Sequence, residues 1–192
     1  MREGNINSDL VYIDEYDLLG SNFYWQKGIE MGMAKEDLAK VGLVNERVLI
    51  HKDIIRPLNR ADGALHIKGY NLYITEGYRS KELYELINEK IEAKIGKHET
   101  GRILNMKDMP HMTGKSIDVA LWRDGKKLVL HNKEDGINGY FVNFYKQGEK
   151  KNTQLQELQD FLINIMQDCG FRLGTKREYF HFNYDPNSPR NY

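Results

Sequence analysis

Two short patterns constrain this chain more than anything else in it. His111, Gly114 and Asp118 form an H-x-x-G-x-x-x-D pattern within Met109-Pro-His-Met-Thr-Gly-Lys-Ser-Ile-Asp-Val-Ala-Leu121, and Glu178-Tyr-Phe-His181 answers it near the C-terminus. Side chains share a zinc ion only if each places its ligand atom about 2 Å from the metal. Seven residues of strand would separate His111 from Asp118 by roughly 23 Å, and seven of helix by roughly 10 Å, so the chain must double back between them. Gly114 sits where a tight reversal needs a residue tolerant of positive φ. Beyond it, Ile117, Val119 and Leu121 alternate with Asp118 and Ala120, which predicts a strand over Ser116 to Leu121 with Asp118 turned away from the core.

In the second pattern, Tyr179, His181 and Asn183 alternate with Phe180, Phe182 and Tyr184, which predicts a half-buried strand over Tyr179 to Tyr184 with His181 on its open face. Three residues earlier, Glu178 would face the other way on a regular strand. It reaches a shared metal only if the strand begins or bulges there. Two imidazoles and one carboxylate leave the fourth position of tetrahedral zinc open, as in catalytic sites, and zinc lowers the pKa of water there to about 7. Glu178 is the candidate general base. With 6 His and 17 Gly in 192 residues, the three-residue pattern is expected on the order of 0.03 times by chance and E-x-x-H roughly 0.5 times, so the second motif gains its weight from the first.

With a third segment, Ile74-Thr-Glu-Gly-Tyr-Arg79, these motifs resemble in kind and order those of the zinc D,D-peptidase family that includes D-alanyl-D-alanine dipeptidases of the vancomycin-resistance type. About two thirds of the chain follows that plan, including Asn22-Phe23 in the segment before the first long helix. The resemblance implies that His111, Asp118 and His181 bind one Zn2+ per chain, that Glu178 is the base, and that Arg79 stabilises the tetrahedral intermediate. A fixed guanidinium suits that role because it meets negative charge as the charge develops. It also places Glu76 where a substrate ammonium group would be received. The sequence departs from the pattern at Met109, where these enzymes usually carry Ser. Its Tyr179-Phe180 spacer replaces a common Trp-Trp, and Arg123 to Lys151 has no clear counterpart.

Residues 1–192 read as a single domain, since no linker, repeat or low-complexity tract divides them. The expected fold is α+β, Hedgehog/D,D-peptidase-like: a mainly antiparallel central sheet with helices packed on one face and the zinc site on the other. Helices are predicted over about Asp53 to Lys68, from an N-cap at Ser80 to a stop at Gly96, and over Thr153 to Cys169 with a Thr153/Gln156 capping box. Further strands are expected near Asn71 to Thr75 and Lys127 to Leu130. His51, His66, His98 and His131 lack partners at zinc spacing and read as surface or helix residues. The single Cys169 rules out an intramolecular disulfide and reads as a packed helix residue.

Twenty-eight basic residues balance 28 acidic ones, so the charge gives no reason to expect nucleic acid or an anionic membrane as partner. Met1 to Asp9 lacks an apolar signal core and no apolar run is long enough to span a bilayer, which gives a cytoplasmic expectation. The expected activity is hydrolysis of D-Ala-D-Ala or a close D-dipeptide. One alternative is a peptidoglycan-stem D,D-carboxypeptidase or endopeptidase, and another is a non-catalytic zinc-bearing binding domain.

Overall fold

The computed structural model describes residues 9–187; Met1 to Ser8, most of the stretch read for a signal, lie outside them. The strands are β1 (Leu10–Tyr12), β2 (Leu19–Gly20), β3 (Leu49–His51), β4 (Asn71–Glu76), β5 (Ser116–Arg123), β6 (Lys126–Lys127), β7 (Phe171–Leu173) and β8 (His181–Tyr184). The helices are α1 (Phe23–Lys27), α2 (Lys35–Lys40), α3 (Ile55–His66), α4 (Lys81–Ile103) and α5 (Thr153–Asp168). The main sheet runs β2-β4-β5-β8-β7, with β6 also paired to β5. It is antiparallel except for the β2–β4 pair, which gives the expected α+β fold. A separate antiparallel ribbon pairs β1 with β3 and meets the ends of the central strands: the Leu49 carbonyl accepts from the Tyr78 N–H, and the His51 N–H donates to the Gly114 carbonyl.

The alternation read from β5 decides which way the sheet faces. Ile117, Val119 and Leu121 are buried in a core shared with Leu58, Ala61 and Leu65 of α3 and Leu162, Ile163 and Met166 of α5. Asp118 and Ala120 project from the opposite face. Both helices owe their core positions to period, since the buried residues recur three and four apart. Pro57 falls in the first turn of α3, where a missing N–H costs no helical bond. α4 buries Leu83, Tyr84, Ile87 and Ile91 in a second cluster with Tyr24, Met33 and Leu38, beside the site.

Several element ends differ from expectation. Ser80 caps α4 as predicted, accepting from the Leu83 N–H. Gly96, however, is a kink and not a stop: it leaves the helical region (φ 82°, ψ 159°) and the helix resumes to Ile103, with the Thr100 hydroxyl donating to the Gly96 carbonyl. The cap of α5 is Asn152, one residue before the expected Thr153, because its amide oxygen reaches the Leu155 N–H at 3.1 Å; Gln156 donates to Asp160 instead of closing a capping box. β6 covers Lys126–Lys127 and stops short of Leu130. It follows a tight hairpin in which Asp124 and Gly125 both take positive φ (51° and 75°), after which one ladder bond, Leu128 N–H to the Leu121 carbonyl, completes the pairing. β8 starts at His181, two residues later than expected, and that difference bears on the site.

Candidate metal centre and its pocket

His111 arrives on a single turn of 3-10 helix, Pro110–Thr113, set between two left-handed residues, Met109 (φ 42°) and Gly114 (φ 68°). This is the predicted reversal. A Cβ at Gly114 would also fall 2.9 Å from the His51 N–H nitrogen, which donates to the Gly114 carbonyl. Asp118 stands opposite His181 in the β5–β8 ladder, so the two side chains share a face. The ligand atoms of His111, Asp118 and His181 all lie within 4.8 Å of one another.

His111 Nδ1 is 2.8 Å from the Gly77 carbonyl. That bond fixes the tautomer and leaves Nε2 as the lone pair turned to its partners. Nε2 lies 3.2 Å from His181 Nδ1 and 3.5 Å from Asp118 Oδ1, and His181 Nδ1 lies 2.7 Å from Asp118 Oδ1. A tetrahedral ion with bonds of 2.0–2.1 Å holds its ligand atoms roughly 3.3 Å apart, so two separations fit and the third, His181 to Asp118, needs to open by roughly 0.6 Å. Three lone-pair donors converging in a buried place fit a zinc ion. Burial by itself would raise the Asp118 pKa; in the metal-free chain a proton carried by the facing imidazoles, through the attraction of His111 and then the hydrogen bonds from His111 and His181, overcomes it and holds the carboxyl well below the usual range, and a metal ion takes that proton's place. Asp118 is therefore ready as an anionic ligand.

The demand placed on Glu178 is met by the backbone. Glu178 forms an isolated bridge with Phe141, Tyr179 and Phe180 make a turn, and the His181 N–H donates back to the Glu178 carbonyl at 3.2 Å. The late start of β8 thus turns Glu178 and His181 into one cavity of about 760 Å³. Burial first, and the Asp118 charge second, push the Glu178 carboxyl up to about 8, against the opposing pull of Arg79 and Lys176.

Glu76 reaches the same face by a β-bulge. Ile74 pairs with Val119 on the core side, yet Glu76, two residues on, pairs with Asp118 on the site side, with the register shift between them. Glu76 and Arg79 are 1% and 3% exposed. Arg79 Nε donates to Glu76 Oε1 at 2.8 Å and Nη2 donates to Oε2, while the guanidinium lies 4.2 Å over the Tyr84 ring. Nη1 has no partner among the described residues, in a side chain that lines the cavity. Glu76, expected to receive an ammonium group, therefore has both oxygens engaged by Arg79. The Arg79 N–H donates to the His111 carbonyl and the His111 N–H to the Tyr84 hydroxyl, which ties guanidinium and metal loop together.

Sequence reading missed four contributors. Tyr84 shows in the sequence only as one more apolar-face helix residue. Gly77 contributes through its carbonyl, which leaves no signature. Gly174 faces the His181 ring so closely that any Cβ there would overlap Cδ2. His131 is neither surface nor helical: it lines the cavity, packs edge-on to Tyr140 at 4.9 Å and meets the Tyr179 hydroxyl at 3.1 Å through Nδ1.

A search of curated protein sequences finds no match. Among solved structures, the LdcB LD-carboxypeptidase, described for its peptidoglycan recognition, matches with TM-score 0.45 and 18% identity over 71% of this chain and 59% of its own. The VanY D,D-pentapeptidase of a VanB-type resistance cassette, in complex with Zn(II), matches with TM-score 0.44 and 16% identity over 71% of this chain and 72% of its own. The profile of the peptidase M15 family, described as D-ala-D-ala dipeptidase, matches residues 35–191, a span that holds the whole His111, Asp118 and His181 cluster together with Arg79 and Glu178. On that match, the chain belongs to the peptidase M15 family.

Proposed function

We propose that this protein is a zinc-dependent D,D-peptidase that hydrolyses D-Ala-D-Ala or a close D-dipeptide. The observation that carries this reading is the convergence of His111, Asp118 and His181 beside the buried carboxyl of Glu178 in one cavity. Zinc bound by the three ligands supplies Lewis acidity to the scissile carbonyl and acidifies water at that position. Glu178 takes the proton from the attacking water and returns it to the leaving nitrogen as the C–N bond breaks. In its neutral form it cannot do so, and the positive charge of a nearby divalent ion favours the carboxylate. Arg79, fixed by Glu76, turns its remaining N–H groups to the developing oxyanion. A donor set in advance costs no reorganisation, and loss of one such group commonly costs about 3–4 kcal/mol of barrier.

A free dipeptide also carries an ammonium group. Among the described residues four acids line the cavity: Glu76 holds Arg79, Asp118 belongs to the metal cluster, and Glu178 is the base. Asp108, three residues before His111, remains, and we assign it that contact in place of Glu76; its Oδ2 accepts from the Asn105 amide, a neutral donor. The second reading, a peptidoglycan-stem D,D-carboxypeptidase, is favoured by one observation: 760 Å³ lies in the upper part of the usual range for drug-sized ligands and exceeds what a dipeptide fills.

The test is D-alanine release from D-Ala-D-Ala and from an N-acyl-D-Ala-D-Ala peptide by the zinc-loaded protein, with and without chelator. Chelator-sensitive cleavage of the free dipeptide, weakened in Asp108→Asn, supports the first reading. Cleavage confined to the acylated peptide replaces it with the second, and cleavage of neither with zinc bound overturns both.

A further inference from the structure

Tyr24 stands on the cavity wall beside Arg79 with a hydrogen bond left to give. It is the second residue of α1, in a turn fixed by the Asn22 amide oxygen, which accepts from the Tyr24 and Trp25 N–H groups at 3.0 and 3.1 Å. Its side chain lines the cavity, and the residue is 7% exposed. The phenol oxygen accepts from Arg79 Nη2 at 3.4 Å, and the guanidinium lies 5.1 Å from the ring centre. Among the described residues that is the hydroxyl's one hydrogen bond, and it is an accepted one, so its own hydrogen is left without an acceptor. Buried tyrosine hydroxyls ordinarily find one. Burial pushes the Tyr24 pKa up against the pull of Arg79, so the group remains a neutral donor at any working pH.

Its neighbour says which acceptor belongs there. Arg79 uses Nε and Nη2 on Glu76 and Tyr24, which leaves Nη1 for a ligand. The planar fork keeps Nη1 and Nη2 side by side, so a hydroxyl bonded to Nη2 stands within reach of an oxygen bound at Nη1. One oxygen has lone pairs for two donors, each about 2.8–3.0 Å away. A phenol that accepts from a cation also donates more strongly through its own hydrogen, because linked hydrogen bonds polarise one another. Tyr84, on the guanidinium's other contact, gives its oxygen to the His111 N–H and so serves the metal loop. The Tyr24 oxygen is on Arg79 itself.

Resting on the peptidase reading above, we propose that Tyr24 is a catalytic residue whose hydroxyl donates to the scissile carbonyl oxygen as that oxygen takes up negative charge. As the water oxygen bonds to the carbonyl carbon, the C=O π pair moves to this oxygen and the hydrogen bonds from Tyr24 and Arg79 strengthen. When the pair returns, the C–N bond breaks and its electrons leave with the nitrogen, which takes the proton from Glu178. Tyr24 keeps its proton throughout. A donor of this kind favours the transition state over bound substrate, so its loss is read in kcat.

The test is Tyr24→Phe in zinc-loaded protein, which removes one oxygen and keeps the ring. On D-Ala-D-Ala or N-acetyl-D-Ala-D-Ala, whichever the wild type cleaves faster, kcat is expected to fall about tenfold or more with KM within about twofold. The phosphinate analogue of the same peptide carries a charged oxygen on tetrahedral phosphorus in place of the scissile carbonyl. By calorimetry it should bind the variant about tenfold or more weakly, while the peptide itself binds Glu178→Gln protein equally well with and without Tyr24→Phe. Equal weakening of both ligands, weakening of neither, or no phosphinate binding to wild type overturns the assignment. A role exercised only by holding Arg79 is read on an Arg79→Lys background, by a double-mutant cycle. There Tyr24→Phe still weakens phosphinate binding if the hydroxyl meets the oxyanion; no further weakening would overturn the assignment. Failure of wild type to cleave either peptide would strike the peptidase reading, and the phosphinate comparison would still decide the Tyr24 contact.

Discussion

Two sides of the cavity are built by different means. On one, Glu76, Arg79 and His111 lie 1–3% exposed, tied to one another and to the Gly77 carbonyl and Tyr84 hydroxyl, on residues that end or adjoin sheet strands. On the other, the wall from Lys127 to Tyr140 runs through turns and a 3-10 segment, Lys133–Tyr140, broken at Gly136. One buried acid latches that wall: Asp135 accepts from Asn132 and the Tyr145 hydroxyl and pairs with Lys150. The groups that need sub-ångström placement sit on the stiff side, and those that only shape the substrate's surroundings sit on the latched one.

The largest expected effect falls where the two sides meet, at Glu178 and His181, since Glu178 is bridged to Phe141 at the end of the latched wall. Glu178→Ala is expected to keep zinc and lose about 10²–10⁴ in turnover, because it removes a proton carrier and not a ligand. His181→Ala should lose the metal itself, read as zinc content after dialysis. Near-normal turnover in Glu178→Ala would show the base to lie elsewhere.

Next comes the Glu76 and Arg79 pair. Glu76→Ala strands a buried guanidinium, so urea unfolding should show about 3–5 kcal/mol of lost stability. A loss under about 1 kcal/mol, the worth of an exposed pair, would mean that Arg79 escapes to solvent and the stiff side is not stiff.

The third effect concerns pH. The Glu178 pKa is raised from its ordinary 4.5 to about 8 in the folded, metal-free chain. Below about pH 4.5 both states hold the proton; between there and pH 8 only the unfolded state releases it, so stability falls as pH rises. Each tenfold difference in proton affinity between the two states is worth about 1.4 kcal/mol, giving a loss on the order of a few kcal/mol by about pH 8. Chemical denaturation of metal-free wild type and Glu178→Gln across about pH 5–8 should show the variant's curve flatter; parallel curves would sink this account.

The smallest effect belongs to the latch. Asp135→Asn weakens its ion pair with Lys150 and should cost about 1 kcal/mol, with KM raised a fewfold and kcat little changed. An equal fall in kcat would mean that the wall positions reacting groups and not only substrate, erasing the contrast between the two sides.

Much of this molecule was legible from its residues. The Ile117-Asp118-Val119 alternation fixed which face of β5 is core, the spacing of His111 and Asp118 forced the reversal at Gly114, and Ser80 marked the start of α4. These are local facts, written in periods of two and 3.6 and in the φ that a tight turn requires. The sequence also posed the right question at Glu178, since a regular strand there was incompatible with a shared site.

What only the tertiary structure decided was non-local. The bulge that aims Glu76 at Arg79 depends on the register of β4 against β5, and the turn that aims Glu178 depends on Phe141 pairing from a segment with no pattern of its own. Asn152 and Thr153 are comparable caps, so one atom's reach settled where α5 begins. Residue types declared the chemistry because metal ligands and bases are few. Their partners stayed hidden because a backbone carbonyl or a tyrosine hydroxyl acquires meaning only from what the fold sets against it.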